Sequence, residues 1–431
     1  MRTYLLAFAG LLITPLALAQ SADFAITGAK VVVGNGSVMD GATVVIKNGK
    51  IESVSMNPAP SGMTAIDGKG KFLYPGFIDA YSTRLTKSAP ETKTDGKPDI
   101  STAAPPYMWI GNRKGIFSDF GAADNLDFEK DSNSYENGIT TVLLAPNKGC
   151  VRGSCAVVNL LPSADKSRVL NNQYGFGLGF RNGGGEGYPS NILGVLALMR
   201  QVLADAKSLA DGVELSKEKT KPYWMKSLED LNPLVTGKRP GIFEANIDRE
   251  IERSLRFGSE FKFPVMIAGG RDAYKMTALL AANKVDVLYS IDNFIEPSVE
   301  PDKATVEIAD QTPVEFKRER HDKWVEQIAG AGILAKSGVR FAFSAGSSPS
   351  QYLDNVRSLI KGGLDKDAAL KAMTVSPAGI LGLGDQLGTI EMGKQANLVL
   401  MSGDFADATS KVERVWITGK AVLEPKKEAG K

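Results

Sequence analysis

Hydrophobic and polar positions divide the chain into distinct textures. From Asp23 to about Phe72, short apolar runs are broken by turns: Ala29 to Val33 then Gly34-Asn35-Gly36, Ala42 to Ile46 then Lys47-Asn48-Gly49-Lys50, then Ile51 to Val54. An Asn-Gly pair between β-branched runs is a hairpin signal, because both residues accept a positive φ. The same texture returns at Leu387-Gly388-Thr389-Ile390, at Ala396 to Met401 and at Val412 to Thr418, with Gly419 to Val422 after it. Each flank is too small to bury a core alone, so residues 23–73 and 386–425 are expected to pair into one small β-sandwich.

Residues 74–385 alternate strands with amphipathic helices. Ile242 to Ala245 reads as a strand, and Ile247, Ile251 and Leu255 follow at the four-residue spacing of one helix face. Val265 to Ala268 is a strand closed by Gly269-Gly270, and Met276, Leu279 and Leu280 mark a helix. Val285 to Tyr289 is the next strand; Trp324, Ile328 and Ala331 mark a helix before a strand at Val339 to Phe343. This repetition predicts an α/β fold with a parallel sheet covered by helices, either open or closed into a barrel.

Residues 1–19 differ from both textures. Met1-Arg2 gives a positive start, Leu5 to Leu16 an apolar run, and Ala17-Leu18-Ala19 a small-residue cleavage signal before Gln20. That pattern is a secretory signal peptide, and the run is too short, and broken by Pro15, for a membrane span. The expected location is secreted or periplasmic. Over the whole chain 43% of residues are hydrophobic and 23% charged, and 51 basic side chains nearly cancel 49 acidic ones. No basic stripe suggests nucleic acid.

An oxidising compartment would permit a disulfide between the chain's two cysteines, Cys150 and Cys155, which sit in Lys148-Gly149-Cys150-Val151-Arg152-Gly153-Ser154-Cys155. The flanking glycines suggest a tight loop, so a bridge is expected, contributing about 2 kcal/mol over so short a loop.

Four segments carry a family resemblance. Tyr74-Pro75-Gly76-Phe77-Ile78-Asp79-Ala80-Tyr81-Ser82-Thr83 resembles the first-strand motif of the amidohydrolase superfamily, in which Pro-Gly-Phe-Ile-Asp leads into His-x-His. Gly138-Ile139-Thr140-Thr141-Val142 resembles its second strand, and Ala372-Met373-Thr374-Val375-Ser376-Pro377-Ala378 a late helix. The most specific match is Leu387 to Val399, which resembles Leu-Gly-Ser-Ile-Glu-x-Gly-Lys-x-Ala-Asp-Leu-Val. The likeness is to the imidazolonepropionase-like kind and implies a distorted (β/α)8 TIM barrel with a small β-sandwich built from both chain ends.

The resemblance also implies a zinc or other divalent metal at the barrel mouth, held by the first-strand His-x-His, by histidines after the fifth and sixth strands, and by an aspartate after the eighth. Imidazoles hold such a metal while it lowers the pKa of bound water. This chain has one histidine in all, and the corresponding positions read Tyr81, Thr83, Glu244, Gly269 and Gly346. No metal and no cofactor is therefore expected, and no catalytic residue is assigned. Glu244 is the one cation-binding replacement; paired with an arginine such as Arg271 it would be structural. Asp292 with Arg271 is a further candidate pocket pair. His321 lies in the charged run Lys317 to Lys323, where a solvated histidine is the ordinary reading. Gly183 to Gly187 lacks the Gly-Lys-Ser/Thr ending of a phosphate loop, and Ser344, Ser347 and Ser348 lack an evident base.

Three functions fit these residues. The chain is an exported member of a family of hydrolases acting on carbon–nitrogen, non-peptide bonds, but metal-free and catalytically degenerate, keeping the barrel mouth for a small molecule or a partner. Alternatively it hydrolyses through a rearranged carboxylate site, or it is a structural subunit, as a homo-oligomer or paired with an active relative. The mature chain is expected to begin near Gln20; mass spectrometry of exported protein that found Met1 retained would contradict this.

Overall fold

The computed structural model describes residues 23–89, 115–181, 189, 191–215, 224–292, 294, 296–300 and 312–425. Residues 1–19, expected to be a signal peptide, and the run Gly183 to Gly187 lie outside them. Strands β1 (Phe24–Val32), β2 (Val38–Lys47), β3 (Lys50–Ser55), β4 (Thr64–Asp67), β5 (Phe72–Pro75) and β6 (Phe77–Ser82) come first, then helix α1 (Ser132–Tyr135). Strands β7 (Ile139–Leu144), β8 (Val151–Ser154), β9 (Ala156–Asn159), β10 (Val169–Asn171) and β11 (Phe176–Gly179) follow, with α2 (Ile192–Ala210), α3 (Met225–Glu229) and α4 (Asn232–Val235). The alternation expected from the sequence then appears as β12 (Gly241–Ala245), α5 (Asp248–Phe261), β13 (Val265–Gly269), α6 (Thr277–Ala282), β14 (Asp286–Ser290), α7 (Val314–Lys336) and β15 (Phe341–Ser344). After α8 (Tyr352–Lys361), α9 (Lys366–Met373) and α10 (Val375–Ile380), the chain returns to strands with β16 (Leu398–Met401), β17 (Val412–Ile417) and β18 (Lys420–Leu423).

The small domain is one eight-stranded sheet contributed by both chain ends, in the order β18-β17-β16-β5-β1-β2-β3, with β4 also on β1. The two ends join where β16 runs antiparallel to β5, with Leu400 opposite Leu73. Asn48 and Gly49, both at positive φ, make the β2–β3 hairpin. Ile26, Val44 and Leu73 from one end share an apolar core with Leu398, Leu400 and Trp416 from the other.

The barrel follows from parallel pairing of β6 with β7 and of β11 through β15 in sequence. Between β7 and β11 the wall continues through β9 and β8, each antiparallel to its barrel neighbour, which is the distortion of the ring. Closure falls between β15 and β6. There the Ser344 hydroxyl donates to the Tyr81 carbonyl at 2.5 Å, and the Ala345 amide donates to Asp79 Oδ1 at 3.0 Å. A buried amide network joins the two domains: Asn397 Nδ2 donates to Thr141 Oγ1 and Asn159 Oδ1 at 3.2 and 2.9 Å, and its Oδ1 accepts from the Thr418 amide at 2.8 Å.

The expected bridge between Cys150 and Cys155 is not present: both cysteines are free and buried. The intervening residues form strand β8 instead of a tight loop. The four strand residues between them set the two Cα atoms roughly 15 Å apart, beyond the ~7 Å limit for a disulfide. The glycines serve close packing. A Cβ at Gly153 would lie 2.0 Å from the Phe120 carbonyl oxygen. Cys150 Sγ donates to the Gly115 carbonyl at 3.2 Å.

Truncation after Asp385 removes β16, β17 and β18 and leaves β5 with an open edge. Limited proteolysis is then expected to cut within residues 23–73 far faster than in the full chain; unchanged resistance there would show that the N-terminal strands stand alone.

Candidate functional site

Active faces of such barrels lie at the C-terminal ends of the strands. Here the ends of β6, β12, β13, β14 and β15 open on one cavity of about 540 Å³, and Tyr81, Thr83, Glu244, Gly269 and Gly346 all line it, as do Arg271 and Asp292. His321 does not; it sits within α7, with Nε2 3.3 Å from Glu296 Oε1 and its ring against Trp324.

Beneath the cavity, bonded to two of its lining residues, lies a residue that the sequence reading passed over. Arg152 lies on β8, where the register against β11 slips between Val151 opposite Leu178 and Gly153 opposite Gly177. Arg152 is the extra residue of that bulge, and bulges re-aim side chains. Its guanidinium is 5% exposed and donates through Nη1 to Glu244 Oε2 at 2.5 Å and to the Tyr81 hydroxyl at 3.3 Å. Nε donates to the Gly149 carbonyl at 3.1 Å. The end of the fourth barrel strand, which the sequence left unplaced, is Gly179, where a Cβ would come 2.8 Å from Arg152 Nη2. Thus Glu244 pairs with Arg152 and not with Arg271, whose Nη2 donates instead to Asp292 Oδ1 at 3.0 Å. One warning was visible in the sequence, a lone arginine between Val151 and Gly153 in an apolar stretch.

Burial opposes the Arg152 charge, but Tyr81 and Glu244 outweigh it and hold the guanidinium above its ordinary range. Burial likewise pushes the Tyr81 phenol up, so it stays neutral. For Asp292, burial works against ionisation, while the Ser290 hydroxyl at 2.6 Å, Arg271 and the Ser347 amide more than compensate and keep the carboxyl below the usual range.

The spaces above the two glycines are occupied. A Cβ at Gly269 would meet Asn246 Oδ1 at 2.5 Å, and one at Gly346 would meet Asp292 Oδ2 at the same distance. A divalent metal of the kind the fold carries does not fit these residues. Tyr81 offers a neutral hydroxyl, Glu244 is bound to a permanent cation, and the two glycine positions are filled by neighbouring side chains. Among the described residues no group of three or more His, Cys, Asp or Glu side chains is placed to hold a metal ion. The cavity instead presents hydrogen-bond donors: Arg84, Arg181, Arg271, Asn246 and several hydroxyls. Arg84 is tied to Asp131 at 2.5 Å and to Ser134 at 3.3 Å.

This architecture has relatives. The amidohydrolase family profile matches residues 263–422. An imidazolonepropionase from Thermoanaerobacter pseudethanolicus is 22% identical over 389 residues, covering 84% of each chain. The crystal structure of an amidohydrolase from Thermotoga maritima superposes with a TM-score of 0.70 and 25% identity, over 93% of this chain and 100% of that one. A Xaa-Pro dipeptidase with bound methionine superposes with a TM-score of 0.53 at 14% identity, over 93% and 99% of the two chains. Residues 263–422 thus carry the amidohydrolase family pattern, and the barrel with its split β domain is the fold that the chain shares with these amidohydrolase superfamily proteins.

Two measurements probe the floor. Arg152→Met strands Glu244 and the Tyr81 hydroxyl, and urea unfolding is expected to show a loss of about 3 kcal/mol, the low end for a broken buried pair because Glu244 keeps some solvent contact. Glu244→Gln added to it should recover part of that loss. Asp79, buried beneath the mouth, is pushed up to about 7 by burial, which outweighs its bonds from the Ala345 and Tyr81 amides. Between pH 4 and 7 the unfolded chain has released this proton and the folded chain retains it, so Asp79 makes stability fall as pH rises through that window. Asp79→Asn keeps an acceptor for both amides and is expected to flatten the fall, with its gain over the parent largest at pH 7.5; parallel pH–stability curves for the two proteins would refute this.

Proposed function

We propose that the protein is an exported amidohydrolase relative whose barrel mouth binds a polar small molecule without a catalytic metal. The observation that carries this reading is the Arg152 guanidinium, bonded at once to Tyr81 and Glu244, two of the five positions where relatives would place metal ligands. A metal at that point would have to displace a buried cation that is itself neutralised in place, and no histidine is on hand to replace the lost ligands. Hydrolysis by the remaining carboxylates lacks support: Asp292 is engaged by Arg271 and Ser290 and held below the usual range, which makes it a weak base at neutral pH. What remains is a cavity of about 540 Å³, a normal size for a small-molecule site, lined by guanidinium and hydroxyl donors suited to a ligand rich in acceptor oxygens.

Elemental analysis of the purified exported protein is expected to find zinc, manganese and iron far below one per chain. Hydrolysis of amide, cyclic amide and dipeptide substrates should be absent, or unchanged by chelator. Near one metal per chain, removed by chelator together with a hydrolytic activity, would overturn the reading.

A further inference from the structure

The barrel mouth is polar throughout, and its charges are paired with one exception. Among the described residues that line it there is no aliphatic side chain, and Tyr81 is the one aromatic; hydroxyls, guanidinium groups, carboxylates and the Asn246 amide make up the rest, glycines apart. A ligand with an apolar body would take water from these groups and return nothing. Of the charges, Arg84 is held by Asp131, Arg271 by Asp292, and Arg152 below them by Glu244. Arg181 has no ion pair or hydrogen bond among the described residues, yet it lines the same cavity. Its place there is fixed from behind: Phe180 is buried and stacks on Phe243 with ring centroids 5.6 Å apart, which holds this stretch to the end of β11. Asp79, beneath Tyr81, largely keeps its proton at pH 6, so the mouth then carries one positive charge beyond its carboxylates.

We infer that the ligand of this mouth is a sugar acid, a polyhydroxylated body bearing one carboxylate, with the carboxylate accepting from Arg181 and hydroxyls meeting Thr83 and Asn246. The inference rests on the reading that the mouth binds a polar small molecule. Thr83 and Asn246 suit that role, because neither side chain has a hydrogen-bond partner among the described residues. A second carboxylate on the ligand would find only guanidinium groups already neutralised, and would face Asp292 and Glu244.

Isothermal titration calorimetry of the purified full chain at pH 6 and low salt tests this. The probes are D-gluconate, D-glucuronate, D-glucose, D-glucarate and hexanoate. At least one of gluconate, an open chain, and glucuronate, a ring, is expected to bind, and the stronger shows which shape the cavity takes. Glucose, which lacks the charge, and hexanoate, which lacks the hydroxyls, should each bind roughly tenfold more weakly or less, and glucarate should also fall below the monoacid. Arg181→Gln, at an exposed position, should reduce the acid to the level of glucose without moving the thermal midpoint. Thr83→Trp, which obstructs the mouth, should abolish binding. The inference is overturned if neither acid binds, if glucose, hexanoate or glucarate binds as tightly, or if either variant binds the acid as the parent does. Metal analysis of the same sample separates the two readings. A metal-free chain that ignores sugar acids defeats this inference alone, whereas a metal-bearing chain that binds them through Arg181 defeats only the metal-free reading.

Discussion

A guanidinium sealed among strand ends must be neutralised where it stands, and the mouth of this barrel is arranged around that requirement. Arg152 enters through a bulge in β8, takes Glu244 from β12 and Tyr81 from β6, and so joins three strands through one buried, neutralised charge. The charge cannot be removed by any accessible pH, unlike an imidazole or a metal-bound water. Around it the two glycine positions are packed, with Asn246 over Gly269 and Asp292 over Gly346. A histidine at position 81 would therefore meet a fixed positive charge, and side chains at 269 and 346 would meet atoms already in place. The mouth differs from that of a metal-bearing relative as a set, and no single substitution reverses it.

Much of the fold was legible because periodicity and turn chemistry are local. The runs at Ile242, Val265, Val285 and Val339 became β12, β13, β14 and β15 with ends shifted by no more than about two residues, the usual fraying of such assignments. Asn48-Gly49 became a hairpin for the reason its sequence gives. The site was legible only as a list of positions. Which side chains fill them depends on a register slip between β8 and β11, a pairing that no local pattern announces, and so Arg152 went unnoticed and Glu244 was given the wrong arginine. The cysteines failed similarly. Gly149, in the bend before β8, and Gly153, within β8, both sit at positive φ and admit neighbouring backbone at close range, so they do not fold the segment back on itself.

The seam between the domains relies on amides where charge would be costly. Asn397 stands where the family pattern has an aspartate, and it uses both ends of its side chain, donating to Thr141 and Asn159 and accepting from the Thr418 amide. A carboxylate there could not donate, and its charge would have to be buried. The same segment continues into β16, so the residue that locks the barrel to the sheet also sets the register of the strand that completes it.

That completion has a consequence for how the chain is made. β1 to β5 leave the ribosome first, yet the strand that covers the edge of β5 is separated from it by the whole barrel. Until β16 arrives, an edge carrying Leu73 is available to any other extended chain, and the contact that closes it is of the slowest kind, between distant parts of the sequence. Growth from the N-terminus thus exposes the sheet for longest at its seam, and the strand synthesised among the last determines whether the first ones are ever protected from aggregation.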